Sequence, residues 1–257
     1  MNTKQLFDLS GKTAIVTGGG NGIGKASCKI LSGFGANVIV SDYKVEDAQK
    51  VVEEIVKDGG KATAIRCDVT NDDELFNLVT QAVQSFGGLH ILVNNVGGGG
   101  AGKESPFDIS VEQFEKVYKM NVFSMWRMCQ LAAPHMIKAG YGSIINMSSM
   151  ASINKSPAIS AYASSKAAIN HMTRNLAFDF GPVIRINAIG PGAIRTAALQ
   201  NVLTPEIEKR MLSHTPIHRL GEVEDIAGAV LYFASPISNW VSGQVLFVNG
   251  GGVQTLD

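Results

Sequence analysis

Lys12-Thr-Ala-Ile-Val-Thr17 runs straight into Gly18-Gly-Gly-Asn-Gly-Ile-Gly24, and this join decides the fold. The first six residues are largely apolar and β-branched, the pattern of a buried strand. The next seven hold five glycines, and a helical pattern follows from Lys25 to Phe34. Glycine tolerates positive φ in a tight turn and lets the backbone approach a bulky anion. A helix starting at Gly22 would aim free N–H groups and its positive dipole end at that anion. Strand, glycine turn and helix N-terminus together suit a pyrophosphate. Gly18, Gly22 and Gly24 are spaced G-x-x-x-G-x-G, unlike G-x-G-x-x-G or a phosphate loop ending in Gly-Lys-Ser/Thr. Taken alone, the same turn can equally be a flexible loop.

The second strand narrows the choice. Asn37-Val-Ile-Val-Ser41 is another apolar β run, closed by Asp42 about 20 residues beyond the turn. A carboxylate there suits the two ribose hydroxyls of an adenosine and repels a 2′-phosphate. No arginine follows Asp42 and position 21 is asparagine, so NAD is favoured over NADP. Amphipathic helices are expected over 45–58 and 72–86, and strands over 61–67 and 89–93. Strands and helices alternate with no long linker or internal repeat, which predicts a parallel sheet covered by helices on both faces.

The 257 residues allow one α/β domain or two smaller ones, and 45% hydrophobic content is ample for a large core. Lysine plus arginine equals aspartate plus glutamate at 22 each, so no charge excess argues for nucleic acid. Cys28, Cys67 and Cys129 are scattered and lack C-x-x-C spacing, and the five histidines lack ligand spacing. Neither a disulfide framework nor a metal site is expected. With no apolar leader at Met1 and no apolar run near 18 residues, the expectation is a soluble cytoplasmic chain without a membrane segment.

The second half carries candidate chemistry. Asn94-Asn95-Val96-Gly97 comes after the fourth strand at its carboxyl end, where open α/β sheets bind ligands. Asn94 is placed to tie strands and Asn95 to face a cofactor. The glycines at 97–100 leave either a slack loop or space for a large substrate. Ser110 and Gln113 form a capping box opening a long helix to about Ala139, with a kink expected near Pro134. Asn121 inside it is either a satisfied core amide or a functional one. Gly142 to Ser148 reads as a fifth strand, with Ser149 next. Tyr162 and Lys166 lie four apart on one helix face, as they would on any amphipathic helix. A sixth strand over 184–189 exits at Gly190-Pro191-Gly192. Residues 193–220 read as a helical lid, then come a helix over 224–234 and a seventh strand over 245–248.

In order, the chain carries Thr17-Gly18-x-x-x-Gly22-Ile23-Gly24, Asp68, Asn94-Asn95-x-Gly97, Asn121, Ser149, Tyr162-x-x-x-Lys166 and Pro191-Gly192. In this set it resembles the short-chain dehydrogenases/reductases over nearly its whole length. That implies one Rossmann-like doubly wound domain over 1–257 with a seven-stranded parallel sheet. Further stretches are similar to the bacterial 7α-hydroxysteroid dehydrogenases, among them Asn121-Val-Phe-Ser124, Thr204-Pro-Glu-Ile-Glu208, Trp240-Val-Ser-Gly-Gln244 and the tail to Gln254. Val96, Gly190 and the loop at Pro182-Val183 depart from the family's usual pattern.

The resemblance implies that Tyr162 is the base in alcohol oxidation and the acid in the reverse reaction. A lysine cation at ~4 Å in an effective dielectric of ~20 contributes about 4 kcal/mol, so a lowered tyrosine pKa is expected, with desolvation opposing it. By the same resemblance Ser149 holds the substrate oxygen, Lys166 the nicotinamide ribose, and Asn121 a water relay. Gly18, Gly22, Ile23 and Gly24 seat the pyrophosphate of NAD. Asp42 and Tyr43 flank the ribose, Asp68 and Val69 the adenine, and Asn95, Ile194, Arg195 and Thr196 complete the cofactor site. Gly99, Ser149, Asn154 and Tyr162 would meet a steroid, whose rings the lid covers with residues such as Leu199, Val202 and Met211. Arg195 is either a partner for a bile-acid carboxylate or a solvated charge. The implied reaction is NAD-dependent oxidation of the 7α-hydroxyl of cholate or chenodeoxycholate to the 7-oxo product, by a homotetramer. A 3-oxoacyl-thioester reductase, a sugar dehydrogenase and a non-catalytic NAD-binding protein are the rival readings.

Overall fold

The alternation expected from the sequence becomes a computed structural model that describes residues 3–100, 102–200 and 203–252. Its strands are β1 Thr13–Thr17, β2 Asn37–Asp42, β3 Lys61–Arg66, β4 Ile91–Asn94, β5 Gly142–Met147, β6 Ile184–Pro191 and β7 Val245–Val248. The helices are α1 Gly22–Gly33, α2 Val45–Lys57, α3 Asp72–Phe86, α4 Val111–Tyr118, α5 Ser124–Ala139, α6 Ser160–Phe180, α7 Ala197–Gln200, α8 Pro205–Ser213 and α9 Val223–Ala234.

All seven strands pair in parallel in the order β3-β2-β1-β4-β5-β6-β7. Successive strand residues point to opposite faces. In β1, Ala14 and Val16 enter one apolar layer with α1, α2 and α9, while Ile15 enters the other with α3, α5 and α6. A sheet covered on both sides has to be apolar on both sides, hence the continuous apolar runs. Chain order reverses between β1 and β4. A crevice therefore opens past the carboxyl ends of those two strands, which is where the glycine turn and the Asn94-Asn95 step lie.

Polar side chains fix the middle of the sheet. Asn94 Nδ2 donates to Asn146 Oδ1 on β5 at 2.9 Å, and Asn146 Nδ2 donates to Thr173 Oγ1 on α6 at 3.0 Å. All three residues are buried. Asn94 thus ties neighbouring strands, as its position suggested.

The segment expected as one helix over 110–139 is helical throughout but not α-helical throughout. Its capping box forms between Ser110 and Gln113, but a π-helical turn over Lys119–Phe123 separates α4 from α5. The helix then runs unbroken across Pro134. A departure from α geometry lies at Asn121, whose side chain bonds outside the helix. Val202 of the expected lid and Gln254 of the expected tail lie outside the described residues.

Candidate active site

The end of β1 is tied to the end of β4 by Thr17. Its Oγ1 accepts the Asn95 N–H at 3.0 Å, and the Asn95 side-chain amide donates to the Thr17 and Gly18 carbonyls at 2.9 and 3.2 Å. The Asn95 amide thus buttresses the glycine turn while the residue lines the adjoining cavity. Gly24 packs α1 against this turn, since a Cβ there would lie 2.0 Å from the Gly18 carbonyl oxygen. Ile23 packs against the apolar layer beneath. The Thr196 methyl reaches to 3.7 Å from where a Gly22 Cβ would stand, so the segment after β6 overhangs the turn.

Beside the turn is a cavity of about 510 Å³, lined by Gly18, Asp42, Tyr43, Asp68, Val69 and Asn95 among others. That is within the range of small-molecule and cofactor sites. Asp42 accepts the Gly20 N–H at 3.0 Å on one oxygen and the Lys44 N–H at 3.1 Å on the other. Each oxygen keeps a lone pair for a ribose hydroxyl. Asp68 accepts from the Thr70 N–H and hydroxyl, which holds its carboxyl below the usual range. This cradle, its acidic rim and its size fit a dinucleotide. One expectation is corrected: an arginine does stand near Asp42. Arg66 is its cross-strand partner in β3, lies 5.0 Å from the centre of the Tyr43 ring, and pairs with Glu74 at 2.7 Å. Sequence distance concealed it, because parallel pairing joins residues 24 apart.

The other half of the site forms where β5 ends and α6 begins. Ser149 accepts the Ala151 N–H at 3.1 Å, and its hydroxyl lies close enough to Tyr162 to act on the phenol. Lys166 is buried, and its Nζ donates to the Met147 carbonyl at 2.8 Å, 5.7 Å from the centre of the Tyr162 ring. The expected lowering of the tyrosine pKa is not found. Burial pushes the Tyr162 phenol up, the Ser149 hydroxyl pulls it down, and the Glu104 carboxylate raises it further. Burial likewise depresses Lys166 to about 8. The lysine is drawn to a neutral carbonyl rather than to the phenol, so desolvation of both groups outweighs their mutual attraction.

The glycines at 97–100 do not leave open room. A Cβ on Gly97 would stand 2.7 Å from Lys166 Nζ, and one on Gly100, where φ is +77°, would stand 3.3 Å from the Tyr162 ring. They let the loop press against the chemistry-bearing face of α6. Asn121 braces that loop. Its oxygen accepts the Gly98 N–H, and both its side-chain N–H bonds are engaged, by the Gly98 carbonyl and the Ser165 hydroxyl. The side chain expected to serve a water relay is thus also a brace for the loop.

Sequence reasoning passed over Glu104. It stands alone among small and polar residues over 102–106, where a carboxylate reads as a solvated loop charge. In the structure it is 5% exposed and accepts the Gly100 N–H at 2.5 Å and the Tyr162 N–H at 2.8 Å.

A cleft of about 310 Å³ opens over Ser149 and Tyr162. Its wall includes Asn154, Ile159, Ala193, Ile194, Leu199 and Met211. Gly100 lines this cleft, and a Cβ on the expected Gly99 would meet Glu104 Oε1 at 2.9 Å, Val117 at 3.2 Å and Tyr162 Cβ at 3.3 Å. Arg195 turns away to Glu222 at 3.2 Å and Glu208 at 3.5 Å, with about two fifths of its side chain exposed. These ion pairs join the segment after β6 to α8 and to the start of α9.

The cysteines offer no rival nucleophile, since burial raises all three and pushes Cys67 and Cys129 up to about 12. Among the described residues, no group of three or more His, Cys, Asp or Glu could hold a metal ion, and no helix is long and apolar enough to cross a membrane.

Residues 18–252 match the family model described as enoyl-(acyl carrier protein) reductase. The chain is 51% identical to the 7α-hydroxysteroid dehydrogenase of Escherichia coli K12 over 250 residues, covering 97% of each. It is 38% identical to the enzyme of the same name from Clostridium sardiniense over 245 residues, covering 95% of this chain and 94% of the other. Among solved structures, a 7α-hydroxysteroid dehydrogenase complexed with NADH and 7-oxo glycochenodeoxycholic acid superposes with a TM-score of 0.95 at 50% identity, covering 100% of both chains.

Proposed function

The chain belongs to the short-chain dehydrogenase/reductase family, and from that premise we propose that it oxidises the 7α-hydroxyl of bile acids such as cholate and chenodeoxycholate to the 7-oxo product, reversibly, with NAD. The observation that carries this reading is the joining of two half-sites over one sheet edge. Ser149, Asn154 and Tyr162 line a cleft with an apolar wall, and the Asp42-bordered cavity lies beside it across the 97–100 loop.

When bound, NAD supplies the hydride acceptor. The Gly18, Gly22 and Gly24 turn with Ile23 takes the pyrophosphate, Asp42 and Tyr43 the adenosine ribose, and Asp68, Val69 and Asn95 the adenine side. Ile194 and Thr196 cover the opposite end. Ser149 orients the substrate oxygen, and Tyr162 takes the alcohol proton in oxidation or donates it in reduction. Lys166 holds the ribose beside it. Asn121 keeps the glycine loop against α6, so that cleft and tyrosine stay in register. Asn154 touches the steroid, whose apolar area is removed from water at about 25 cal/mol per Å² by Leu199, Met211 and Ile159.

The whole chain 1–257 is read as one domain, with 193–220 as the lid. Leu199 and Met211 on the cleft and Thr196 over Gly22 support that role. A homotetramer is supported by large apolar side chains left at the surface, among them Phe123, Trp126, Phe178 and Trp240. A reducing cytoplasm suits three unpaired, buried cysteines.

The experiment is an absorbance assay of NADH formation with cholate and its 7β epimer ursocholate, and of NADH consumption with a 3-oxoacyl thioester for the reductive direction. Rapid oxidation of cholate alone is expected, because a 7β substrate presents its hydrogen away from the cofactor face. Equal rates on both epimers would defeat the stereochemical reading. Turnover of the thioester alone would reassign the substrate.

A further inference from the structure

Glu104 takes no part in that chemistry, yet it is buried against the catalytic face. Each carboxylate oxygen takes one main-chain donor: Oε1 the Gly100 N–H at 2.5 Å, Oε2 the Tyr162 N–H at 2.8 Å. Its own backbone is pinned by a bond from the Glu104 N–H to the Ala158 carbonyl at 2.9 Å, with Ser160 Oγ donating to the Glu104 carbonyl at 3.3 Å. Residue 159, which precedes α6, supplies no side-chain cap. The Tyr162 N–H is one of the helix's unpaired first-turn donors, and Glu104 satisfies it from a separate loop. Gly100 and Tyr162 both line the substrate cleft.

We propose that Glu104 is a positioning residue: its carboxylate joins the cleft wall at Gly100 to the main chain of Tyr162, so that the substrate seat and the proton-transfer group are held as one unit, with its negative charge set against the first turn of α6. This rests on the reading of Tyr162 as the proton-transfer group. The charge has a consequence of definite sign, because an anion disfavours the phenolate. The neighbouring elements carry other charged groups. Lys166 has its ammonium on the Met147 carbonyl. Glu112, Glu115 and Lys116 of α4, Lys119 of the π turn, and Lys103 and Lys155 of the neighbouring loops all reach solvent.

Two variants separate charge from fit. Glu104→Gln keeps the size but removes the charge and one of the two acceptors. Glu104→Asp keeps the charge on a stem one methylene too short to reach both N–H groups. The direct readout is an NMR titration of the full chain labelled with [13C-ζ]tyrosine, in which Tyr162→Phe identifies the Tyr162 signal among the five tyrosines. In Glu104→Gln the Tyr162 phenol should ionise about half a pH unit or more below wild type. In Glu104→Asp it should ionise at the wild-type pH, while kcat/KM falls at least about threefold through KM as the Gly100 wall loosens. A folded Glu104→Gln protein whose Tyr162 titrates with wild type overturns the proposal. If Glu104→Gln does not fold, a Glu104→Asp variant within twofold of wild type in kcat/KM overturns it. The NMR arm needs neither cofactor nor bile acid, and kcat/KM is measured on whichever alcohol the wild type oxidises. Failure to oxidise cholate therefore counts only against the substrate assignment.

Discussion

Replacing Tyr162 by phenylalanine removes one oxygen and leaves the ring that packs beside Gly100. The variant should fold and bind NADH as wild type does while losing turnover by about 10²–10⁴-fold. Fluorescence titration with NADH beside a steady-state assay checks this, and activity above a few per cent would remove Tyr162 from its role. The raised phenol pKa gives the two directions opposite pH dependence. Reduction needs the protonated phenol, which is present at neutral pH and lost as pH rises through the raised value. Oxidation needs the phenolate and climbs over the same interval. Rate–pH profiles measured in both directions should therefore cross, with oxidation still rising above neutrality. At this scale Ser149, Tyr162 and Lys166 stood out only through the ordered set of motifs that carries the family resemblance, because a four-residue spacing alone fits any amphipathic helix. The sign of the pKa shift was not legible. It depends on how deeply both side chains are buried and on the Met147 carbonyl beside Lys166, and neither is written in spacing. Glu104 was hidden for a related reason, since a loop carboxylate reveals its partners only when the loop has a place.

Between elements, the β2–β3 register decides how the cofactor's ribose end is built. Asp42 and Arg66 are cross-strand partners, and Arg66 is restrained by Glu74 and the Tyr43 ring. Asp42→Ala removes the carboxylate that would repel a 2′-phosphate and leaves Arg66 and Lys44 near the vacated place. The ratio of kcat/KM for NAD to that for NADP should fall by about tenfold or more, a change of ~1.4 kcal/mol. A wild type that already prefers NADP would contradict the role given to Asp42. Element boundaries tracked apolar periodicity closely, α3 over 72–86 without adjustment. The break at Lys119–Phe123 did not, because no residue there breaks helices on its own. Asn121 makes the turn by bonding to Gly98 and Ser165, partners 23 and 44 residues away in the chain.

For the whole molecule, helix alternation predicted the two-sided sheet, and the order of the strands set where the site opens. Surface apolar residues on α5, on α6 and beside β7 expect cover from further copies: Trp240 is fully exposed and Phe178 is 89% exposed. Light scattering at micromolar concentration should give about four times the 27.3 kDa chain mass. A stable monomer would contradict that assembly. The row Asn94–Asn146–Thr173 has a different reach. Its three polar side chains are buried between two apolar layers that would tolerate many lateral arrangements of similar β-branched strands. Only the arrangement with β4 beside β5 and α6 across β5 satisfies them, and leaving a buried amide unmatched costs about 1–3 kcal/mol. The row therefore acts as a proofreading mark for assembly, penalising a collapsed chain whose strands have chosen the wrong neighbours before any ligand is there to select the right one.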